Sequence, residues 1–585
     1  MIHKCIPVML FLAICLVFVT MADTETNPQV TIDQGTLRGQ YKMSRAGKQF
    51  ASFTKIPFAK PPVGDLRFKS PEPAEGWTGV YDATQKVPKC IQKDYLSYTK
   101  PEVEGVEDCL FINVFTPKTA LESKKKDKLL PVMVFIHYGG NFAGTSQPER
   151  SGPEFFMDRQ VLMVSFNYRL GIFGFFSTLN DDSPGNYAAK DQVLALKWVQ
   201  ANIEHFGGDK NQVTIFGQSA GAGATHHLML SPSGKGLFQR VISESGTAMC
   251  LWAKPLNMLQ KLIYPATGQI LGCDPSNTTS LVQCMREIDA KVLLNSDIHL
   301  KHFYRDPLVI YTYVTETRTE KNPEPFLERD PAEIIMSGDF QKVPWILGTV
   351  ENEGALKAGP NFISKNIREE YTARFDELGL KDMLLDASVL PDQIQAFWMK
   401  MKQFYLNSEI FDFEDEHSIE GFTNMYGDRW FSYGIYQAAL LHSMQNHNNI
   451  WFYNFNFTGS VSFANSVFVR DTEDTLDYNF GVSHCDELLY LFNSPELFPE
   501  YKMTPTELQL SKIMITLWTN FAITGKPHQQ WQPLPNICDP QATNKDLHYL
   551  DIRGPDNLVL RNDYRRSRME FWTNSGVFQN VPGIQ

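Results

Sequence analysis

The sequence predicts one large α/β domain in which helices flank a mostly parallel central sheet. Short apolar runs rich in β-branched and aromatic residues recur along the chain, as buried parallel strands require. Segments with helical periodicity lie between these runs, and no fixed-period repeat or Pro/Gly/Ser-rich linker divides the 585 residues. Alternating strands and helices form a parallel sheet that helices cover on both faces, so we expect a single domain of this class.

The first 22 residues form a segment of their own. Lys4 places a positive charge near the N-terminus, residues 5–19 are apolar, and residues 20–22 suit a cleavage site. This order of features is typical of a secretory signal peptide. An uncleaved signal anchor is the alternative, but the polar stretch DTETNPQ that follows favours cleavage. We therefore expect a signal peptide at 1–22 and the domain over 23–585. Free secretion is expected, because the C-terminus shows neither a lipid-anchor tail nor a retention tetrapeptide.

The clearest strand and helix signals alternate in the middle of the chain. Apolar runs that end near glycine or a polar cluster predict strands within 129–140, 160–171, 211–221, 343–354 and 449–457. The segment 191–206 predicts a helix, because two glycines follow it and apolar residues recur at 193, 196, 199, 203 and 206. The lysine-rich run at 124–128 precedes a strand and is interpreted as a solvated loop.

The stretch IFGQSAGAGATH at 215–226 contains the first candidate for chemistry. On its own, the pattern G-x-S-x-G is short enough to occur by chance. Here, however, residues 213–216 resemble a strand, 217–221 a tight turn and 222–230 a helix. This context is that of a nucleophile elbow, in which a sharp bend exposes a serine hydroxyl at the carboxyl edge of the sheet. Ser219 is therefore a candidate nucleophile.

A serine nucleophile needs a histidine base and a carboxylate, which follow an elbow serine in the order acid, then histidine. Of 13 histidines, His484 fits best, because it follows a glycine-bearing loop and precedes an apolar helical run. His205 and His226 lie within helical patterns instead. The acid stays ambiguous on these grounds, since Glu351 and Glu353 both follow a predicted strand.

Nine cysteines are present, and two lie within 1–22, which leaves seven in the expected mature chain. Export favours disulfides, and the pairs that are close in sequence are Cys90 with Cys109 and Cys273 with Cys284. An odd total leaves at least one free thiol. Neither C-x-x-C nor H-E-x-x-H occurs, so we expect no metal site.

The net charge and two glycosylation sequons indicate which partners and modifications to expect. The formal net charge of -12 argues against a nucleic-acid partner, because binding to phosphates requires a basic surface. The sequons NTT at Asn277 and NFT at Asn456 become glycosylation sites if the chain is exported. We therefore expect an acidic, secreted glycoprotein.

A series of motifs gives the chain its resemblance to the type-B carboxylesterase and cholinesterase family, over residues 30–572. The motifs are LRF (66–68), EDCLFINVFTP (107–117), NYRLGIFGF (167–175), GNYAAKDQVLALKWVQANIEHFGGD (185–209), GQSAG (217–221) and GVSHCDE (481–487). The resemblance implies an α/β-hydrolase fold and carboxylic-ester hydrolysis through an acyl-enzyme. It implies no cofactor.

The same resemblance assigns roles by position. It implies that Ser219 is the nucleophile, Glu353 the acid and His484 the base. Further groups carried over from the family are the oxyanion-hole N–H donors of Gly139, Gly140 and Ala220, the ion pairs of Arg67 with Glu107 and of Arg169 with Asp191, and the two short disulfide loops. The ion pairs are expected to be structural, whereas the oxyanion donors would stabilise the transition state.

Two positions depart from the usual family pattern. The oxyanion loop usually reads H-G-G-G-F, whereas HYGGNF at 137–142 has Tyr138 in place of a glycine and Asn141 in place of the aromatic residue. Both donor glycines remain, so we expect an intact oxyanion hole and a reshaped pocket wall. Gln218 stands where most members carry Glu, and this GQSAG form resembles that of insect juvenile hormone esterases.

These features predict a secreted esterase for neutral lipophilic small-molecule esters, with juvenile-hormone-like methyl esters as the specific expectation. A general detoxifying or odorant-degrading carboxylesterase is the alternative within this class. A non-catalytic adhesion member is the alternative from another class, but such proteins lack a triad residue and usually carry a membrane span. Choline esters are disfavoured, because the 90–109 loop contains Tyr95 and Tyr98 but no tryptophan to hold a quaternary ammonium.

Overall fold

The computed structural model describes residues 27–123, 129–385, 389–447, 449–468, 470, 474, 478–536 and 547–575. The expected signal peptide, the lysine-rich run at 124–128 and Cys538 lie outside these described residues. Within the described ranges, no helix has the length and apolar character needed to cross a membrane.

Most strands belong to one large sheet. In chain order the strands are β1 (Gln29–Ile32), β2 (Gly35–Arg38), β3 (Gln40–Met43), β4 (Gln49–Pro57), β5 (Val80–Asp82), β6 (Phe111–Pro117), β7 (Leu130–Ile136), β8 (Leu162–Phe166), β9 (Gly208–Gln218), β10 (Arg240–Glu244), β11 (Trp345–Val350), β12 (Ile450–Phe455), β13 (Tyr549–Ile552) and β14 (Leu558–Arg561). Strands β1, β2 and β5 form a separate small sheet.

The large sheet is parallel at its centre and antiparallel at its edges. Its strand order is β14-β13-β12-β11-β10-β9-β7-β8-β6-β4-β3. The strands from β13 to β8 run parallel, whereas β14, β6, β4 and β3 pair antiparallel with their neighbours. Strands β8, β11 and β12 are buried along their whole length, as strands covered on both faces should be. The predicted α/β class with a mostly parallel sheet is confirmed.

Helices lie between most of the parallel strands. They are α1 (Lys118–Leu121), α2 (Gly171–Phe175), α3 (Tyr187–Asn202), α4 (Ala220–Leu230), α5 (Asn257–Leu271), α6 (Thr278–Glu287), α7 (Ala290–Asn295), α8 (Pro331–Ser337), α9 (Ala355–Ile363), α10 (Lys365–Ala373), α11 (Phe375–Asp382), α12 (Ile394–Leu406), α13 (Glu416–Gly427), α14 (Tyr433–Met444), α15 (Phe463–Ser466), α16 (Pro505–Thr524) and α17 (Arg566–Asn574). A π-helical turn, Asp428–Ser432, joins α13 to α14.

Helix α3 begins earlier than the sequence predicts. The expected helix started at Asp191, but α3 starts at Tyr187 and gives way to a 3-10 turn, Ile203–Phe206. Asp191 lies one turn inside the helix because its carboxylate accepts hydrogen bonds from the Arg169 side chain rather than capping the helix. The predicted stop is correct, since Gly207 adopts a φ of 84° directly after the 3-10 turn.

The structure joins the residue pairs that the family pattern implies. They are the disulfides of Cys90 with Cys109 and of Cys273 with Cys284, and the ion pairs of Arg67 with Glu107 (2.6 Å) and of Arg169 with Asp191 (2.7 Å). Both arginines also donate to backbone carbonyls, so their remaining N–H groups are used in holding loops together. Charges that are buried and satisfied in this way belong to the scaffold.

The carboxyl ends of the parallel strands bring the candidate site together. Ser219 follows β9 directly, and Glu353 lies just beyond β11. His484 precedes a short 3-10 helix, Asp486–Tyr490, that follows β12 in the chain. Because parallel strands end at the same edge of a sheet, residues from distant parts of the sequence meet there.

Candidate active site

Ser219 occupies a one-residue bend between β9 and α4. Its backbone lies at φ 56° and ψ -120°, a conformation that residues with a side chain rarely adopt. The bend is shorter than the predicted turn at 217–221, because the strand and the helix extend into that range from both sides. A Cβ at Gly221 would lie 1.9 Å from the Ile136 carbonyl oxygen, so a glycine is needed where β7 passes the bend. The Ser219 N–H donates to the Glu244 carbonyl at 2.8 Å and fixes the bend.

His484 and Glu353 form a buried pair that lies close to this bend. The His484 Nδ1 and Glu353 Oε2 atoms are 2.6 Å apart, and each residue is 1% exposed. Glu353 Oε1 also accepts the Val350 N–H at 3.0 Å, which fixes the carboxylate. When Nδ1–H donates to Glu353, the opposite ring nitrogen, Nε2, carries a lone pair that can accept a proton. His484 and Ser219 line the same cavity.

Glu351, the other candidate acid, has different partners. Its carboxylate accepts a hydrogen bond from Asn454 at 2.7 Å and lies 3.7 Å from Arg565. Burial favours a raised pKa for Glu351, but nearby arginine charges, led by that of Arg565, and the hydrogen bond from Asn454 together outweigh burial and hold that pKa below its usual value. Their position after the strand did not distinguish the two acids, but only Glu353 contacts His484.

The loop after β7 contributes two glycines to the wall of the same cavity. Gly139 and Gly140 line the cavity and have φ values of 123° and 60°. A Cβ at Gly139 would lie 2.0 Å from the Ala143 carbonyl oxygen, so this turn excludes a side chain. Among the described residues, the N–H groups of Gly139, Gly140 and Ala220 have no acceptor. Free donors of this kind are suited to an oxygen that becomes negative.

His137 supports the loop from within the core. Its Nδ1–H donates to the Tyr138 carbonyl at 2.8 Å, and its ring stacks on Tyr168 with 4.2 Å between ring centres. The Tyr168 hydroxyl donates back to the His137 carbonyl at 2.8 Å. Burial lowers the pKa of His137 to about 4, so the ring is neutral at pH 7 and acts as a structural donor.

The two departures from the family loop have different effects. Tyr138 lines the cavity, and its hydroxyl accepts a hydrogen bond from Arg150 at 3.4 Å. Asn141 is fully buried at φ 66°, and its carbonyl accepts the Gly171 N–H at 2.7 Å. Tyr138 therefore shapes the pocket wall. Asn141 joins the loop to α2 only through its main chain, and its buried side-chain amide has no hydrogen-bond partner among the described residues.

Gln218 links the histidine to a thiol that sequence reasoning left without a role. Its Nε2 lies 3.4 Å from His484 Nε2, and its Oε1 accepts a hydrogen bond from Cys485 Sγ at 3.2 Å. Burial raises the pKa of the Cys485 thiol, so the group stays a neutral donor. The Phe431 ring lies against the imidazole at a tilt, with 4.5 Å between ring centres. Sequence analysis missed Phe431, because no local pattern points from the π-helical turn to the histidine.

The space above these groups, the catalytic cavity, measures about 450 Å³, which includes the part that is open to solvent. Apart from Ser219, His484 and the glycines, its walls are mostly apolar and aromatic, and include Phe142, Trp252, Tyr426, Trp430, Phe431 and Phe468. Within the described residues, no Asp, Glu, Lys or Arg side chain lines this cavity. A site of this composition favours uncharged, apolar ligands.

Comparison with known proteins agrees with the site. The model of the carboxylesterase family matches residues 26–572. The chain is 43% identical to juvenile hormone esterase of Tribolium castaneum, with 96% of both chains covered, and 32% identical to venom carboxylesterase-6 of Apis mellifera, with 93% and 94% covered. The crystal structure of juvenile hormone esterase from Manduca sexta, with OTFP covalently attached, superposes with a TM-score of 0.81 at 28% identity, covering 94% of this chain and 99% of that one. The chain therefore belongs to the carboxylesterase family and is a carboxylic-ester hydrolase with the α/β-hydrolase fold.

Proposed function

We propose that this carboxylesterase is a secreted serine esterase for slender, neutral lipophilic esters, with juvenile hormone as its substrate. The observation that carries the proposal is the apolar catalytic cavity, which contains Ser219, His484 and the unpaired N–H groups of the Gly139–Gly140 loop. Such a cavity offers an acyl-transfer centre at its base and apolar walls for the rest of the ester.

The proposed reaction uses Ser219 as nucleophile. His484 Nε2 takes the hydroxyl proton while Ser219 Oγ attacks the ester carbonyl carbon, and Glu353 stabilises the imidazolium that forms. The N–H groups of the oxyanion loop and of Ala220 donate to the negative oxygen, at about 3 kcal/mol for each donor in related hydrolases. The proton then passes to the leaving alcohol, and water hydrolyses the acyl-enzyme by the same route, with His484 again as the base.

The substrate proposal rests on the shape and polarity of the cavity together with the relatives. Tyr138 and Phe142 flank the oxyanion glycines in the sequence, and both line the cavity. With these bulky side chains beside the reacting centre, we expect a long, thin acyl chain to fit better than a bulky one. Burial of such a chain contributes about 25 cal/mol for each Å² removed from water, and a methoxy leaving group needs little space. The relatives from Tribolium and Manduca are both named juvenile hormone esterases.

Export is proposed from the expected signal peptide at 1–22, the two disulfides and the sequons. Asn277 is exposed, and its Oδ1 accepts the Ser280 N–H at 3.0 Å as the cap of α6. A glycan attached to its Nδ2 would leave this cap intact. Asn456, the other sequon, is half-buried beyond β12.

The substrate proposal is tested by comparing kcat/KM for juvenile hormone, 1-naphthyl acetate and acetylcholine on the purified protein. The hormone should be the best substrate, because its long apolar acyl chain can bury more surface in this cavity than an acetyl group can. A preference of several orders of magnitude for naphthyl acetate would instead indicate a general detoxifying or odorant-degrading carboxylesterase.

The nucleophile is tested separately. A fluorophosphonate probe should label wild-type protein at one residue, and Ser219→Ala should remove both the label and the turnover of every ester. Retained labelling in Ser219→Ala would overturn the proposed mechanism.

A further inference from the structure

Arg150 is a charged side chain that lies inside the protein, next to the wall of the catalytic cavity. It is 4% exposed, and its Nε donates a hydrogen bond to the Tyr138 hydroxyl oxygen at 3.4 Å. Its two terminal nitrogens lie 3.5 Å from Asp94 Oδ2 and 3.7 Å from Glu496 Oε1. A guanidinium stays charged in proteins, and moving its charge out of water is costly. These three partners therefore have to offset a large desolvation cost.

The three partners belong to three segments around the catalytic cavity. Tyr138 directly precedes the two glycines of the loop after β7, and Asp94 lies within the first disulfide loop. Glu496 follows the 3-10 helix that begins two residues after the proposed base. The Glu496 N–H also donates to the carbonyl of the residue before Arg150, at 3.0 Å. Arg150 thus joins the oxyanion loop to two segments that are distant in the chain.

The side chain of Tyr138 is held by two neighbours. The guanidinium carbon of Arg150 lies over its ring, 5.6 Å from the ring centre, and Phe463 contacts the ring edge-on, with 6.4 Å between ring centres. The Tyr138 main chain is fixed as well, since its carbonyl accepts the His137 Nδ1–H at 2.8 Å. Gly139 follows directly in the chain, so any displacement of Tyr138 would move the first of the proposed oxyanion donors.

The presence of Tyr138 accounts for the burial of Arg150. The usual family loop has a glycine at this position, and a glycine brings no polar side chain into the protein. A tyrosine brings a hydroxyl group, and Tyr138 is only 4% exposed. A buried hydroxyl without a hydrogen bond is destabilising, and Arg150 supplies one. The two side chains therefore form one structural unit beside the reacting centre.

We propose that Arg150 is a positioning residue for ester hydrolysis, which acts through Tyr138 to fix the loop that presents the two oxyanion glycines. The proposal rests on the proposed function, which assigns the oxyanion role to those glycines. Donors stabilise a transition state only when they are held where its charge develops. Arg150 is not part of the described lining of the catalytic cavity, so it should affect turnover more than substrate binding.

The test compares ester turnover with the binding of an alkyl trifluoromethyl ketone. The ketone reports on the oxyanion hole, because Ser219 Oγ adds to its carbonyl carbon and leaves a negative oxygen, while the serine proton passes to His484. Arg150→Met should lower kcat by about 10- to 100-fold with little change in KM, and weaken ketone binding by a similar factor, since misplaced groups are costly in rate. Arg150→Lys keeps the charge and should recover part of both losses.

Arg159→Met is the matched control. Arg159 is a half-buried arginine that donates to Thr519 and Asn520 of α16, so its loss also removes hydrogen bonds of an arginine. This variant should lower Tm but keep kcat and ketone affinity close to those of wild type. A general loss of stability is thereby distinguished from a loss of positioning.

A double-mutant cycle decides the question even where Arg150→Met does not fold. Tyr138→Phe removes only the hydroxyl oxygen, so in this background Arg150→Lys should weaken ketone binding by a smaller factor than in wild type. Equal factors in both backgrounds, or a folded Arg150→Met variant with a raised KM and wild-type kcat, would overturn the positioning role while the esterase function stands. Wild-type protein that neither hydrolyses esters nor binds the ketone would overturn the proposed function and this role with it.

Discussion

At the scale of single residues, the different partners of Glu353 and Glu351 lead to a mutational prediction. Glu353→Gln should lower kcat by roughly 10²- to 10⁴-fold, because the amide cannot orient and stabilise the His484 imidazolium as a carboxylate does. Glu351→Gln should change kcat only slightly, because the Glu351 side chain contacts Asn454 and Arg565. Steady-state kinetics of both variants on one ester check this ranking, and the reverse order would transfer the role of acid to Glu351.

Gln218 supports a second residue-scale prediction, on pH dependence. Gln218→Glu would place a carboxylate 3.4 Å from His484 Nε2, where it stabilises the protonated imidazole. Activity requires the neutral base, so the acidic limb of kcat/KM should move to higher pH by about one unit. A pH profile of kcat/KM for wild type and variant provides the measurement, and an unchanged or lowered midpoint would contradict it.

Residue types and their order in the sequence predict part of this site. The elbow context selects Ser219, and the loop before an apolar helix selects His484, because both signals are local. Reasoning from residues leaves Glu351 and Glu353 open, since both follow β11 and differ only in the partners that distant segments bring. The family resemblance singles out Glu353. The contacts of Cys485 and Phe431 with the site had no sequence signal, because each depends on packing between elements far apart in the chain.

At the scale of elements, the two short disulfide loops give a chemical prediction. Peptide mapping without reduction should recover Cys90 linked to Cys109 and Cys273 linked to Cys284. Cys250 and Cys485 are buried thiols, so alkylation of native protein should be slow at both and become rapid on unfolding. A free thiol at any of the four bridged positions in folded protein would contradict the pairing.

The elements that the sequence predicts correctly are those with strong periodic or apolar signals. Four of the predicted strand segments contain β7, β8, β11 and β12, and the segment 211–221 overlaps β9, which begins three residues earlier; all five strands are central and largely or wholly buried. Edge strands such as β3 and β14 were not predicted, because they are short and partly exposed and carry no continuous apolar run. The start of α3 was wrong for a tertiary reason: the ion pair with Arg169 draws Asp191 into the helix interior.

At the scale of the whole molecule, stability should depend on a buried acid at the end of β10. Glu244 is fully buried, accepts a hydrogen bond from the Trp518 indole, and has its pKa raised to about 8 by burial. An unfolded Glu ionises near pH ~4.3, so between that pH and about 8 the folded state holds a proton that the unfolded state has released. This group therefore lowers the free energy of unfolding as pH rises through the window.

Glu244→Gln removes this titration and keeps a hydrogen-bond acceptor for Trp518. The difference in Tm, variant minus wild type, should therefore become more positive between pH 5 and pH 8. This holds whether the variant is more or less stable than wild type at pH 5. Differential scanning calorimetry at the two pH values gives the measurement. A relative Tm that stays constant over the same interval would show that Glu244 is already ionised in the folded protein at pH 5.

The placement of the candidate site at one edge of the parallel sheet has a consequence for biogenesis. Its hydrogen-bonded members are remote in the chain: Glu353 and His484 are 131 positions apart, and Gln218 and His484 are 266 positions apart. Closing loops of that length carries a large entropic cost early in folding, so such contacts form late. Esterase activity should therefore be among the last properties to return on refolding, well after far-UV circular dichroism has recovered. A nascent or partly folded chain should therefore have no esterase activity.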